Sequence, residues 1–306
     1  MIPKKKNLRR IAVAIACAGG LILLQRFCHQ QTDGFSRYKI SSNLTFHPEW
    51  ETPRLNAGEQ EGLSKILSQP YRYLAKGAQS YVFLSDDGQY VLKFFRIYHL
   101  QPPFWVTHLR WPWFLQSYKM EKILKKLDEL HKDFASYKIA YDELKEETGI
   151  VYLHLNKTDY LKQTLTFYDK IGIKHEVALD QMEFLVQRRA ELVYPALARM
   201  VESEGLENAK DALSQLVSLL CLRCQKGIHD KDPDLNTNFG FIGHTPLQID
   251  VGRFRIENGN LQERMVDRDE IIRITDNLNQ WLRSRYPELS GHLELTIAQI
   301  PPSHDQ

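Results

Sequence analysis

The sequence predicts an α+β fold that follows an N-terminal hydrophobic helix. Apolar-rich runs between residues 71 and 97 flank the turn sequence Asp86–Gln89, a pattern typical of a β-hairpin. Apolar residues recur at helical spacing over residues 117–147, and residues 190–226 have a mostly helical pattern. Because strands come first and long amphipathic helices follow, the pattern indicates a mixed α+β domain.

The N-terminal segment has the composition of a membrane-targeting sequence. Five positive charges within residues 1–10 precede Ile11–Leu24, a run of 14 apolar residues. This run is shorter than the roughly 20 residues that span a bilayer, and no clear Ala-x-Ala cleavage site follows it. We interpret residues 1–28 as an uncleaved signal anchor or a transmembrane segment; a cleaved signal peptide and a buried helix are the alternatives. The positive-inside rule then places the remaining chain on the far side of the membrane.

Bulk composition excludes several classes of protein. With 306 residues, 43% of them hydrophobic and 25% charged, the chain is a globular protein of one large or two small domains. A net charge of +2 gives no reason to expect a nucleic-acid partner. The four cysteines form no disulfide framework, and Cys221 and Cys224 lack the second pair of ligands that a zinc site needs.

The remaining elements follow a polar connector at residues 29–56. A helix, three strands, a long helix, further strands, a helical region, a short hairpin and two closing helices are predicted in that order. Their expected ranges are 57–67, 71–97, 117–147, 149–155, 165–172, 181–189, 190–226, 239–250, 266–284 and 288–298.

The aromatic-rich segment 102–114 has two interpretations. Its tryptophans beside Arg110 have the amphipathic character of residues at a membrane interface. Aromatic residues in such a segment also pack between a sheet and a helix. We expect core packing for Trp105, Trp111, Trp113 and Phe114.

Residues 227–241, with the sequence GIHDKDPDLNTNFGF, concentrate oxygen-bearing side chains. The spacing of the acidic and amide residues is that of a calcium loop, but Leu235 stands where the loop needs glycine and Phe241 stands where it needs glutamate. A calcium loop is therefore excluded. A plain polar turn also explains the composition of this stretch taken alone.

Four elements in a fixed order point to phosphate chemistry. Gly77 lies in a turn between two strands and would let backbone approach a phosphate, and Lys93 is central in the third strand. The polar loop follows downstream with Asp232 and Asn238, and a short hairpin leads to Asp250 in an Asp-x-Gly sequence. Carboxylate and amide oxygens suit Mg²⁺, and a lysine neutralises phosphate charge.

This order resembles a divergent member of the protein kinase-like superfamily, over about residues 70–255. The resemblance implies a Gly-rich loop in which Gly77 is kept and Ala75 and Ser80 replace the outer glycines. It also implies that Lys93 contacts the nucleotide phosphates. The other nucleotide-binding residues that it implies are Ser80, Val82 and Glu143.

The same resemblance assigns the chemistry of the polar loop. Asp232 corresponds to the catalytic aspartate, and Asp230 is its rival because the spacing to Asn238 is one residue longer than usual. Asn238 and Asp250 correspond to the metal ligands, so the implied cofactors are ATP and Mg²⁺. The glutamate that pairs with Lys93 is left open between Glu129 and Glu143, with Glu121 as a third choice.

The implied architecture is a two-lobed kinase-like fold with a short C-terminal lobe. After the segment 1–28 and the linker 29–56, residues 57–189 form the N-lobe with a long helix, and residues 190–306 form a compact C-lobe. The length after Asp250 resembles small-molecule or lipopolysaccharide-sugar kinases, or a pseudokinase.

Function is predicted as ATP- and Mg²⁺-dependent phosphoryl transfer to an unknown acceptor, which is a small molecule, a lipid-linked molecule or a protein. The alternatives are a membrane-anchored pseudokinase that serves as a scaffold, and an unrelated globular domain. Membrane anchoring raises a conflict over the supply of ATP. Reversed topology, export into a compartment that contains ATP, or a non-catalytic role resolves it, and the side of the membrane stays open.

Overall fold

The protein, described by a computed structural model over residues 5–256 and 265–301, has an α+β architecture. Its helices are α1 (Lys5–Gln31), α2 (Arg37–Ile40), α3 (Ala57–Leu67), α4 (Ile97–Leu100), α5 (Phe104–His108), α6 (Gln116–Glu143), α7 (Lys145–Thr148), α8 (Val193–Ser203), α9 (Leu206–Gln225), α10 (Arg268–Arg285) and α11 (Pro287–Ala298). Its strands are β1 (Tyr71–Lys76), β2 (Ser80–Ser85), β3 (Tyr90–Phe95), β4 (Ile150–His154), β5 (Thr164–Tyr168), β6 (Lys174–Ala178), β7 (Phe184–Arg188), β8 (Glu191–Leu192), β9 (Ile228–Asp230), β10 (Phe239–Ile242), β11 (Thr245–Gln248) and β12 (Phe254–Ile256).

One lobe is built on a seven-stranded sheet in the order β4-β7-β3-β2-β1-β5-β6. Neighbouring strands run antiparallel except β1 and β5, which are parallel. Within this sheet Lys93 of β3 lies opposite Val82 of β2 on one side and Leu185 of β7 on the other. The sheet therefore fixes the lysine in the middle of the lobe.

The second lobe is helical and closes over the short strands β8, β10 and β11. Helices α8, α9, α10 and α11 share one buried core, which includes Leu213, Leu216 and Leu220 of α9 and Phe239 and Phe241 of β10. The prediction of an α+β fold with two lobes is confirmed. The hairpin, the long helix and the two closing helices lie where the sequence predicts them.

Helix α6 and the segment that precedes the sheet lobe pack together. Trp50 is 2% exposed and lies against Phe134 of α6, with the ring centroids 4.8 Å apart. Phe35 and Ile40 are buried against the sheet. The segment 29–56, expected to be a linker, thus contributes apolar side chains to the cores of this lobe.

Helix α1 extends away from the rest of the protein. The most apolar 18-residue window of Arg10–Gln31 has a mean hydropathy of 2.0, and none of this window is buried. By length and composition this helix fits a membrane span, and a signal sequence has the same properties. The prediction of an N-terminal hydrophobic helix is confirmed.

The expectation that the aromatic segment packs in the core is wrong. Trp113 is 86% exposed, Phe114 is 63% exposed and Trp105 is 48% exposed, while Trp111 is half-buried. The apolar stripe of α6 becomes buried only from Leu130 onward. In this segment Val106 is buried, but within residues 5–256 and 265–301 no element covers Trp105, Trp113 and Phe114.

Gly240 of β10 provides a test of the contact between the two short strands β8 and β10. A Cβ atom at this position would lie 2.4 Å from the backbone oxygen of Glu191. Because backbone cannot rotate aside, we expect Gly240→Ala to lower the free energy of unfolding by about 1–3 kcal/mol, measured by urea denaturation. Gly291→Ala is the control: it meets no atom within 4 Å in α11 and is expected to keep or raise stability. Equal stability of the two variants would contradict the prediction.

Glu183 is a buried acid at the start of β7. It is 1% exposed, and one carboxylate oxygen accepts a hydrogen bond from the Ser42 hydroxyl over 2.5 Å while the other has no hydrogen-bond partner. Burial raises the pKa of the Glu183 carboxyl from 4.5 to about 7. Between pH 4.5 and about 7, the Glu183 carboxyl is therefore protonated in the native state and ionised in the unfolded chain.

Stability should consequently fall as the pH rises from 4.5 to about 7 and then level off. The ionised carboxylate costs on the order of 3 kcal/mol above pH 7. We expect Glu183→Gln to be more stable than the wild type at pH 8 and to lose this part of the pH dependence in denaturation curves. A wild-type slope retained in the variant would contradict the assignment.

Candidate functional site

A cleft of about 760 Å³ lies between the sheet lobe and the loops of the helical lobe. The sheet lobe contributes the turn after β1 and the inner faces of β2 and β3, and the segment that joins β7 to α8 forms one wall. The sequence-predicted residues that line this cleft are Gly77, Ser80, Val82, Lys93, Asp230, Asp232, Asn238 and Asp250. Glu143 does not line it.

Arg96 stabilises the turn after β1 through hydrogen bonds to its backbone. Gly77 donates its backbone N–H to the carbonyl of Ser80 over 2.9 Å, which closes the turn. The Arg96 guanidinium donates to the carbonyls of Gly77 and Ala78 over 3.1 and 2.8 Å. These hydrogen bonds stabilise the turn at the edge of the cleft.

Gln79 joins this turn to the opposite wall. Its amide nitrogen donates to the carbonyl of Gly252 over 3.2 Å, and its amide oxygen accepts from the Tyr137 hydroxyl over 3.0 Å. A Cβ atom on Gly252 would lie 1.8 Å from that amide oxygen, so only glycine permits this approach. The turn is therefore closed onto the Asp250–Gly252 segment.

Lys93 lies beside Asp250. Its ammonium nitrogen donates to the carbonyl of Ile249 over 2.6 Å. Burial lowers the pKa of the Lys93 ammonium, and the Asp250 carboxylate acts in the opposite direction. Lys93 and Asp250 are thus close enough to contact one bound nucleotide. The alternative of an unrelated domain required them to be far apart.

The structure does not bring a glutamate of α6 to Lys93. Glu129 pairs with Lys126 over 2.6 Å, and the backbone carbonyl of Glu143 accepts a hydrogen bond from Lys226. Helix α6 instead presents Tyr137 to the cleft. The glutamate prediction fails because the α6 residue that lines the cleft, about two turns before Glu143, is Tyr137.

Asp230 and Asp232 lie in different environments. Asp230 is 7% exposed, accepts a hydrogen bond from Gln248 over 2.5 Å and lies 3.6 Å from the buried guanidinium of Arg223. Burial raises the pKa of the Asp230 carboxyl. The side chain of Asp232 is 56% exposed and has Arg253 at 3.9 Å. Asp232 therefore presents a solvated carboxylate to the cleft, and Asp230 is held within the loop.

Asn238 links the polar loop to Asp250. Its side-chain nitrogen donates to the carbonyl of Asp232 over 2.6 Å, and its own carbonyl accepts from the backbone N–H groups of Ile249 and Asp250 over 2.8 and 3.3 Å. Its amide oxygen accepts from the Thr237 hydroxyl over 3.0 Å, which leaves a second lone pair. Asn238 and Asp250 are consequently fixed side by side.

Oxygen donors and cations thus meet at one end of the cleft. The carboxylate of Asp250, the amide oxygen of Asn238 and the carboxylate of Asp232 are hard ligands of the type that Mg²⁺ selects. The ammonium of Lys93 suits an anionic group beside that ion. The donor set fits Mg²⁺ in complex with a polyphosphate.

Four residues of this site escaped the sequence analysis. Gln79 lies inside the turn that contains Gly77, and Arg253 directly follows the Asp-x-Gly sequence. Their closeness in sequence to these motifs is a signal that could identify both residues. Arg223 stands on the apolar stripe of α9, where a lone cation signals a buried charged partner. Tyr137 lies on the apolar stripe of α6, where an aromatic residue by itself indicates core packing.

Comparison with known proteins finds only distant similarity. No protein-family model and no curated protein matches the chain. A crystal structure of WbdD, a bifunctional kinase-methyltransferase, is 14% identical over 76% of this chain and 47% of that one, with a TM-score of 0.34. The complex of Rv3197 with erythromycin from Mycobacterium tuberculosis is 15% identical over 79% of this chain and 61% of that one, with a TM-score of 0.32.

The chain spans about half the length of WbdD. At these identities and TM-scores the similarities support no inference about activity.

Proposed function

We propose that this protein binds ATP with Mg²⁺ in the cleft and transfers the terminal phosphoryl group to an acceptor hydroxyl. The observation that carries the proposal is the meeting of Lys93, Asn238 and Asp250 at one end of the cleft beneath the Gly77 turn. Phosphoryl transfer asks for cations and positioning more than covalent chemistry. This arrangement supplies both.

Each residue has a role that follows from its place. Lys93 neutralises charge on the nucleotide phosphates, and the backbone of the Gly77 turn covers them. Asp250 and Asn238 would hold Mg²⁺, which supplies charge neutralisation to the phosphates when bound. The hydrogen bonds of Gln79 with Gly252 and Tyr137 must break when a nucleotide enters, because they occupy the space between the turn and Asp250.

Asp232 orients the acceptor and removes its proton. Its exposed carboxylate accepts the hydroxyl proton of the acceptor as the new oxygen–phosphorus bond forms. Asp230 instead supports the loop through Arg223 and Gln248. The acceptor is a small molecule, a lipid-linked molecule or a protein, and anchoring through α1 places the protein at a membrane.

A second candidate is a membrane-anchored pseudokinase that binds nucleotide without turning it over. The absence of an α6 glutamate beside Lys93 favours it, because active protein kinases hold this lysine with such a glutamate. In that case the protein serves as a scaffold, and ligand binding in the cleft controls it through the Gln79 contacts. The two candidates share nucleotide binding and differ in turnover.

The distinguishing experiment is an assay of ATP turnover with Mg²⁺, with and without candidate acceptors. We expect wild-type protein to release ADP or to label itself or an acceptor, and Asp250→Asn to remove this signal while it keeps the fold. Saturable nucleotide binding without turnover in any condition would assign the pseudokinase role. Failure of the wild type to bind nucleotide would reject both candidates.

A further inference from the structure

We propose that His47, Glu49 and His131 form a binding site for a transition-metal ion, with Zn²⁺ as the best-suited ion. The three side chains lie on the outer side of α6, and none of them lines the cleft. Two imidazoles and one carboxylate are a donor set typical of zinc. The hard ions Mg²⁺ and Ca²⁺ prefer oxygen ligands alone.

The distances between donor atoms fit one ion. The Nδ1 atom of His47 lies 3.0 Å from a carboxylate oxygen of Glu49, and the Nδ1 atom of His131 lies 3.6 Å from the same oxygen. All three donor atoms lie within 4.8 Å of one another. Zinc bonds of 2.0–2.1 Å place neighbouring ligands of a tetrahedron about 3.3 Å apart, so small side-chain movements complete the site.

The surrounding structure holds His47 in place without an ion. Asn156 exchanges two hydrogen bonds with the backbone of His47, over 3.0 and 2.8 Å. The His47 ring packs on buried Trp50 with ring centroids 4.0 Å apart, and its other nitrogen lies 3.5 Å from the Thr45 hydroxyl. A partner for the second ring nitrogen is the usual support of a metal-binding histidine.

The site would join two parts of the chain that are distant in sequence. His47 and Glu49 belong to the segment that follows α1, and His131 belongs to α6. An ion bound there fastens the segment between the hydrophobic helix and the sheet lobe to the long helix. A bound water completes a fourth position, since three protein ligands are available.

Calorimetric titration of the untagged full chain with ZnCl₂ tests the site. We expect one equivalent to bind and the affinity to fall at least about tenfold in His131→Ala and in Glu49→Gln, a loss of about 1.4 kcal/mol. Both side chains are substantially exposed, so the variants should fold, and thermal unfolding without zinc checks this. His108→Ala, which removes an exposed histidine elsewhere, should bind like the wild type. No saturable binding, or unchanged binding in both site variants, would overturn the proposal.

A different observation supports a second inference, that the exposed aromatic surface lies in the headgroup region of a lipid bilayer. This surface comprises Phe104, Trp105, Leu109, Trp113, Phe114 and Leu124, each 48–86% exposed. Residues 104–127 also contain five lysines and arginines against a single glutamate. Tryptophan beside basic residues matches the interface of a membrane that contains anionic lipid.

An aromatic contact links the segment that follows α1 to the segment that precedes this surface. Tyr38, seven residues beyond α1, contacts Tyr98 with ring centroids 5.4 Å apart, and Tyr98 belongs to α4 just before the aromatic segment. Trp105 stacks on Trp111 at 5.6 Å, which keeps the aromatic residues together. A bilayer crossed by α1 is therefore within reach of this surface, and the inference depends on that proposed anchoring.

Fluorescence quenching in vesicles tests this inference. The full chain is reconstituted in phosphatidylcholine and phosphatidylglycerol that carry bromine near the headgroup. We expect strong tryptophan quenching in the wild type and in Trp281→Phe, and loss of most quenching in a Trp105→Phe, Trp113→Phe double variant. Equal quenching in all three proteins would overturn it. Flotation of the vesicles reports anchoring by α1 separately, so failure of anchoring is distinguishable.

Discussion

Asp232→Asn is expected to lower phosphoryl-transfer turnover by about 10²–10⁴-fold, the range for loss of a general base. Its side chain is 56% exposed and its closest charged partner, Arg253, is 3.9 Å away, so the substitution removes a proton acceptor and little packing. The midpoint of thermal unfolding should therefore stay at the wild-type value. Steady-state assays with ATP and Mg²⁺, together with calorimetry, measure both effects.

Asp230→Asn serves as the contrasting variant. Asp230 is buried beside Arg223 and Gln248, so its loss should reduce the free energy of unfolding. Glu191→Gln is a matched control, because its carboxylate lies in the cleft wall and pairs with Arg199. It should leave turnover near the wild-type value. If Asp232→Asn retains turnover and Asp230→Asn loses turnover without losing stability, Asp230 is the catalytic base and Asp232 supports the loop.

Arg223→Ala is expected to destabilise the protein by about 3–5 kcal/mol, the range for removing one partner of a buried ion pair. Arg223 is 1% exposed and donates to the Gln248 amide oxygen over 3.1 Å, with Asp230 at 3.6 Å and Glu270 at 3.9 Å. Its loss leaves the Asp230 carboxylate buried without a cation. Urea denaturation measures the change.

A double variant separates charge from packing. In Arg223→Met with Asp230→Asn, the buried cation and the Asp230 anion are removed together, so the penalty for an unpaired charge at Asp230 disappears. We expect this double variant to be more stable than Arg223→Met alone, which has the same side-chain volume at position 223. An Arg223→Ala protein as stable as the wild type would show that the pair does not support the loop.

Local patterns were sufficient to predict most of the fold. The hairpin over β2 and β3 follows from its turn residues, and α3 follows from its apolar spacing. In the structure the Asn56 side chain caps α3 by accepting the Glu59 N–H over 2.9 Å. The order of Gly77, Lys93, Asn238 and Asp250 was sufficient to expect a shared cleft. Their proximity follows once β3 is central in the sheet.

Features that depend on distant contacts were missed or wrong. The rotation of α6 about its axis decides which side chain faces the cleft. That rotation is set by the packing of Phe134 of α6 against Trp50 and Phe95, which lie far away in the sequence. The aromatic segment was expected in the core because its composition is that of a core. Whether a covering element exists is decided by tertiary structure, and the described part of the chain provides none for Trp113.

Titration calorimetry of ATP with Mg²⁺ into the wild type and Lys93→Met is the most direct test of the central claim, that Lys93, Asn238 and Asp250 build one nucleotide site. We expect the wild type to bind ATP at one saturable, Mg²⁺-dependent site. In Lys93→Met the affinity should fall at least about tenfold, or 1.4 kcal/mol. A wild type that does not bind ATP, or a Lys93→Met protein that binds it equally well, would contradict the account.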